Sequence, residues 1–303
     1  MPDAIRTESL TKYYGAVVAI ESLDLAVNRG EVYGFLGPNG AGKTTTIRIL
    51  LDLVHATKGR ALIDGLDCHR DSVDVRTRVG YLPAEMPLYR EMTGAAYLDY
   101  LAALQRGPID RAWRRRLLAR FDVSDIDLRR RLDDLSHGMK RKFGIIQALM
   151  GHPPLLILDE PTSGLDPLMI EAFAETVQEL KTEGRTTVFL SSHVLSEVER
   201  LCDRVGIIRR GTLARQTSIA DLRRETPRRV RVFFDGAAPP PPPQLAAAVR
   251  KSDGRHWDLE WQGPLGNALD AMRGLNVADI EIEPFKLDDY VLQIYADRPA
   301  GRA

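Results

Sequence analysis

The nine residues GPNGAGKTT, Gly37 to Thr45, restrict this 303-residue chain more than any other stretch. Their first glycine ends EVYGFLG, an apolar run of strand character, and they lead into a segment of helical spacing from about Lys43 to Leu53. A strand passing through a glycine loop into a helix is the context that the phosphate-binding pattern G-x-x-x-x-G-K-[ST] requires. Gly37, Pro38, Asn39, Gly40, Ala41 and Gly42 supply the loop, whose glycines let backbone N–H groups wrap phosphate oxygens. Lys43 is placed to reach the β- and γ-phosphates, the Thr44 hydroxyl is placed to hold Mg²⁺, and Thr45 continues the helix start.

The segment LLILDEP, Leu155 to Pro161, supplies a second half. Its continuous apolar run suits a parallel strand covered on both faces. Asp159 ends that strand and is positioned for Mg²⁺, directly or through water. Glu160 follows, close to where water attacks a γ-phosphate, and a carboxylate there can act as general base. A third segment, LSHGMK, opens the amphipathic run MKRKFGIIQALM. Ser136 has the chemistry of a helix N-cap, Gly138 is expected to keep the turn open, and a helix N-terminus attracts anions.

GPNGAGKTT, LSHGMK, LLILDEPTSGLD and SSH occur in the order and approximate spacing of an ATP-binding cassette (ABC) ATPase. The chain resembles that family over about residues 4 to 225. The resemblance implies an α/β P-loop NTPase fold with a mixed sheet core, an antiparallel β subdomain and a helical subdomain over about 87–150. It implies ATP and Mg²⁺ as ligands. Tyr14, directly before a glycine in TKYYG, matches the aromatic that stacks on adenine, with Tyr13 the lesser candidate. His193 matches the histidine that contacts the γ-phosphate, and Ser163 to Asp166, SGLD, match the loop that links two sites across a dimer. LSHGMK resembles the signature segment, in which Ser136 and Gly138 face the γ-phosphate bound by the opposite subunit. Two copies of the chain would then sandwich two ATP molecules.

Two positions depart from the family pattern. His137 stands where glycine is usual; the backbone N–H is retained, and a cost arises only if that position needs positive φ. Ala84, in YLPAEMPLY, stands where a glutamine usually contacts Mg²⁺ or the attacking water and senses the membrane subunit. Glu85 is adjacent and carries an oxygen, but successive side chains of extended backbone point opposite ways. Coupling to a partner is therefore the open part of the resemblance.

The remaining chain bounds the reading. Forty-two basic residues balance 42 acidic ones, which gives no general affinity for nucleic acid. Cys68 and Cys202 are too few for a disulfide framework and read as buried small side chains in a reducing compartment. MPDAIRTESL lacks an apolar signal core, and no apolar run approaches the ~20 residues that cross a bilayer. Arg111, Arg114, Arg115, Arg116, Arg120 and Arg129 to Arg131 form either a solvated helix face with local acid partners or a contact for anionic lipid. At about Thr226 the texture changes, and residues 226–303 read as a small α+β domain whose proline run at 239–243 is a stiff loop or a docking segment.

One nucleotide-binding unit per chain and a small C-terminal appendage resemble the separate ATPase subunits of bacterial drug and multi-substance exporters. This implies a separately encoded permease, a cytoplasmic location on the inner face of the plasma membrane, and an unidentified cargo. The competing classes are a non-transport ABC ATPase, which usually carries two cassettes or long coiled coils, and a regulatory ATP-binding subunit, suggested by Ala84 and His137.

Overall fold

The computed structural model describes residues 3–283 except 87, 88, 90, 106 and 108, together with 287, 290 and 291. The chain divides into two compact units, residues 1–216 and 217–303.

In the first unit, β1 (Ile5–Tyr14) and β2 (Val17–Val27) form an antiparallel hairpin that buries Ile5, Leu10, Ile20, Leu23, Leu25 and Val27. β3 (Val32–Leu36) is buried at all of its positions, which is why its sequence shows no polar alternation. The glycine loop then delivers α1 (Lys43–Leu50). β4 (Lys58–Ile63) and β5 (Leu66–Asp67) complete an antiparallel sheet of order β2-β1-β4-β5. A short α2 (Ser72–Arg76) leads to β6 (Val79–Leu82).

The expected helical region follows, and among the described residues each of its α-helices starts on a side-chain cap. Thr93 accepts from Ala96 N at the start of α3 (Gly94–Ala103), and Asp110 accepts from Ala112 N and Trp113 N at the start of α4 (Arg111–Arg120). Ser124 and Asp127 form a reciprocal capping box on α5 (Asp125–Arg129). Ser136 accepts from Met139 N at 3.2 Å and begins α6 (His137–Leu149). Such caps satisfy N–H groups that have no partner within the helix. Three arginines of α4 have acid partners close by: Arg114 meets Asp99 at 2.6 Å, and Arg116 and Arg120 meet Glu179 at 3.5 and 2.6 Å. These contacts fit the solvated-face reading.

Strands and helices then alternate: β7 (Leu155–Asp159), α7 (Pro167–Glu183), β8 (Thr187–Ser192), α8 (Leu195–Leu201), β9 (Arg204–Arg209) and β10 (Thr212–Ser218). Gly184 ends α7 with φ 67°, the left-handed cap expected of a glycine there. The central sheet has the order β10-β9-β3-β8-β7-β6. The β9/β3, β3/β8, β8/β7 and β7/β6 pairs are parallel. β10 returns through the two-residue turn Arg210–Gly211, with φ 48° and 80°, the positive pair of a hairpin turn. The sheet is mixed, as the resemblance implies. Its parallel part aligns the C-terminal ends of β3, β8, β7 and β6 along one edge. In open α/β sheets that edge is where ligands bind.

The second unit contains α9 (Ile219–Glu225), β11 (Arg228–Phe234), α10 (Pro243–Ala246), β12 (Val249–Ser252), β13 (His256–Trp261), α11 (Leu265–Ala271) and β14 (Val277–Ile282). Its sheet runs β12-β13-β11-β14 with antiparallel pairs throughout, over a core of Val230, Val232, Leu245, Trp257 and Leu259. The change of texture at Thr226 marks this sheet, whereas the compact unit already includes α9. Trp257 Nε1 donates to the Pro239 carbonyl at 3.1 Å, and Pro243 occupies the first turn of α10. The proline run is thus tied to its own unit at both ends. Most of the late segment LDDYVLQIY, and the tail beyond it, lie outside the described residues.

Candidate nucleotide site

The edge formed by β3, β6, β7 and β8 gathers most of the residues singled out in the sequence. Gly37 follows β3, Ala84 follows β6, Asp159 ends β7 with Glu160 next, and His193 follows β8. The glycine loop is packed too tightly for larger residues. A Cβ at Gly42, where φ is 110°, would lie 2.7 Å from the Ala19 carbonyl oxygen, and one at Gly37 would lie 2.6 Å from that of Ile208. Gly40, with φ 78°, faces open space.

Lys43 is buried and spans the loop. Its ammonium donates to the carbonyls of Gly37 and Pro38 at 2.6 and 3.3 Å and lies 3.4 Å from Glu160 Oε1. Thr44 Oγ1 donates to Asp159 Oδ2 at 3.0 Å, and Ser191 donates to Asp159 Oδ1. Asp159 is fully buried, so both oxygens need these partners. The Thr44 hydroxyl and the Asp159 carboxylate form an all-oxygen donor pair beside a phosphate-type loop, which fits Mg²⁺.

Glu160 adopts φ 50°, a left-handed conformation uncommon for glutamate. Its N–H donates to Ser191 O at 3.1 Å, and its Oε2 lies 2.6 Å from His193 Nδ1. The carboxylate is therefore held between Lys43 on one oxygen and His193 on the other. Such strained backbone clusters at functional sites.

Sequence reasoning did not single out Arg141. It is buried on α6, and its guanidinium meets five carbonyls. Nε donates to Pro161 O at 3.2 Å; Nη1 donates to Pro83 O and Ala84 O at 2.5 and 3.1 Å; Nη2 donates to Asp159 O and Glu160 O at 2.7 and 2.5 Å. Burial lowers its pKa to about 10, which still leaves it charged at neutral pH. Arg141 stands four residues before Ile145 and seven before Ala148, both buried, so a cation on the apolar stripe was the available signal. Ser191 was also missed. It lies on β8, two residues before His193, and directly opposite Asp159 in the β7/β8 register.

The other candidates fall outside this cluster. Tyr14 is 45% exposed at the end of β1, beside exposed Val17 and Val18 and below Lys12 Nζ, 4.9 Å from its ring centre. Ala19, next in the chain, is the residue whose carbonyl faces Gly42. Tyr13 is half-buried. His137 is exposed at the first position of α6 with ordinary negative φ, so the histidine imposes no backbone cost there. Gly138 also lacks positive φ; what its small size admits is the Gly164 carbonyl, 3.1 Å from where a Cβ would stand. Gly164, with φ 78°, packs on His137: a Cβ there would lie 2.7 Å from the ring Cδ2. The SGLD loop and the LSHGMK segment thus touch within one chain. Asp166 caps α7 by accepting from Met169 N at 3.0 Å. Ala84 is half-buried and engaged through its carbonyl, and Glu85 is exposed without a hydrogen bond or ion pair to Thr44, Asp159 or Glu160.

Comparison with known proteins settles the family. An uncharacterized ABC transporter ATP-binding protein of Synechocystis sp. is 35% identical over 93% of this chain and 80% of its own. The chain belongs to the ABC transporter ATP-binding proteins. The family profile described as "ABC transporter" matches residues 20–163 of this ABC protein. The bacitracin transport ATP-binding protein BcrA of Bacillus licheniformis is 37% identical over 99% of the chain and all of its own length. Among solved structures, an ATP-binding subunit of an ABC transporter matches with TM-score 0.67 and 32% identity, covering 73% of this chain and 92% of the other. A bacterial ABC transporter cassette, solved as a dimer, shares the fold with TM-score 0.65 at 23% identity, covering 71% and 98%. Among the described residues no helix is long and apolar enough to cross a membrane.

Proposed function

We propose that this chain is the ATP-hydrolysing subunit of an exporter, and that it works through ATP-dependent pairing of two copies on a separately encoded permease. The observation that carries this is the convergence of Lys43, Glu160 and His193 beside the Thr44–Asp159 pair. Residues Gly37 to Thr45 hold the phosphates, and Tyr14 offers its exposed ring to the base. Mg²⁺, held by Thr44 and Asp159, neutralises phosphate charge when bound. Glu160 takes the proton from the attacking water, a role worth roughly 10²–10⁴-fold. His193 fixes the orientation of that carboxylate through Nδ1.

Ser136, His137 and Gly138, at the N-terminus of α6, meet the γ-phosphate held by the second copy. Their contact with Gly164 lets the SGLD loop report on that encounter, and Asp166 fixes where the loop ends. The loop of Ala84 and Glu85, with the helical region over about 87–150, faces the permease and places the chain on the inner face of the plasma membrane. Export is supported by the roles of relatives: bacitracin transport, lantibiotic transport and daunorubicin resistance. The small α+β domain over 226–303 serves the same complex. Partners made of nucleic acid are not expected.

Gel filtration of the Glu160→Gln variant tests the pairing. ATP should shift it from one copy to two, and ADP should not. A variant that binds ATP but stays single would overturn the sandwich.

A further inference from the structure

A second constellation lies away from the nucleotide residues, where the end of α1 meets the β4–β5 hairpin. Asp52, two residues past α1, adopts φ 55°, and His55 follows in the same loop. His69 comes from the segment after β5. One oxygen, Asp52 Oδ1, lies 2.8 Å from His69 Nδ1 and 3.5 Å from His55 Nε2. The two imidazole centres are 4.2 Å apart. One donor atom from each of the three residues lies within 4.8 Å of the other two.

Hydrogen bonding does not account for this arrangement. Asp52 Oδ1 satisfies His69, while His55 Nε2 points at the same oxygen from beyond hydrogen-bond range. We propose that Asp52, His55 and His69 form a site for a borderline divalent transition metal, such as zinc or cobalt. Two imidazoles and one carboxylate select such ions over the oxygen-loving Mg²⁺ and Ca²⁺. Donors around tetrahedral zinc sit about 3.3–3.5 Å apart, given bonds of about 2.0–2.2 Å. Both imidazoles are largely exposed, so side-chain rotation can widen the 2.8 Å Asp52–His69 separation and bring the three donors to that spacing.

The backbone is already fixed around these donors. Lys12 Nζ donates to the His55 carbonyl at 2.8 Å, and Asp67 Oδ1 accepts from the N–H groups of His69 and Arg70, each at 3.0 Å. Arg76 Nη1 lies 3.9 Å from Asp52 Oδ2, which orients the carboxylate and leaves Oδ1 to the imidazoles. Outer contacts of this kind orient ligands in metal sites. The open side of the three donors faces a cleft of about 670 Å³ lined also by Glu8, Arg60, Asp67 and Arg70. Water or an external ligand completes the coordination from there. The metal would tie the end of the phosphate-loop helix to the β5–α2 connection.

Untagged, chelator-treated full-length protein is titrated with Zn²⁺ by calorimetry, without nucleotide and with excess Mg²⁺ to occupy the Thr44–Asp159 oxygens. The expected result is one zinc per chain. His55→Ala and His69→Ala should each weaken binding at least roughly 10- to 100-fold, the range that loss of even an outer-sphere partner produces. His55→Gln, which keeps a polar side chain of similar reach, should show the same loss. Zinc should raise the melting temperature of the wild type and not of the variants, and Co²⁺ should give a visible absorption band in the wild type alone. Absence of zinc binding, or equal binding in the wild type and both alanine variants, overturns the assignment.

Discussion

The guanidinium of Arg141 bonds the carbonyl oxygen of Glu160 at 2.5 Å and, through its other terminal nitrogen, those of Pro83 and Ala84 at 2.5 and 3.1 Å. A single buried cation on α6 therefore fixes the backbone on both sides of Glu160 and that of the Ala84 loop. Arg141→Met should lower the ATP turnover number at least about tenfold while ATP affinity changes little, because the phosphate loop is untouched. It should also cost at least about 1.5–3 kcal/mol of stability, the value of one hydrogen bond to a charged group. Arg141→Lys should recover stability better than turnover, since one ammonium cannot reach five carbonyls in the guanidinium's planar geometry. Denaturant melts and steady-state kinetics check both.

Lys43 holds the loop carbonyls and the Glu160 carboxylate in one reach. If Lys43 pairs with the phosphates as proposed, Lys43→Ala should lower nucleotide affinity roughly 10- to 150-fold, from about 1.5–3 kcal/mol. Titration with a fluorescent ATP analogue measures this directly. An affinity within twofold of the wild type would remove Lys43 from the site.

The contact between His137 and Gly164 gives a test that needs no partner. Gly164→Ala forces alanine into φ 78° and brings its Cβ to 2.7 Å from the His137 ring. The backbone part costs about 1–2 kcal/mol. His137→Gly in the same chain should relieve the steric part and leave the backbone part. A double-mutant cycle in urea should therefore show coupling of at least about 0.5 kcal/mol. Strict additivity would mean the two loops do not press on one another.

Most of the site was legible because its chemistry needs fixed residue types at fixed spacing. Gly42 must take positive φ beneath the Ala19 carbonyl, and Thr44 must reach Asp159 across the sheet; both requirements leave a signature in the sequence. The strand order was not legible, since periodicity does not say that β8 lies between β3 and β7. Arg141 was hidden in the basic run MKRKF, where local charge pattern suggests a solvated face. Its burial depends on carbonyls from loops up to 58 residues away, which no local pattern records. The Asp52–His55–His69 cluster was hidden for a similar reason: His69 meets the other two only because β5 folds back on β4.

Glu160, held by Lys43 and His193, is proposed as the base of an ATP-hydrolysing site. Steady-state phosphate release by the wild type, set beside Glu160→Gln at saturating ATP and Mg²⁺, tests it most directly. The wild type should turn over ATP and the variant should be slower by roughly 10²–10⁴-fold, with ATP binding retained. Equal turnover in the two proteins, or none in either when the permease is present, would contradict it.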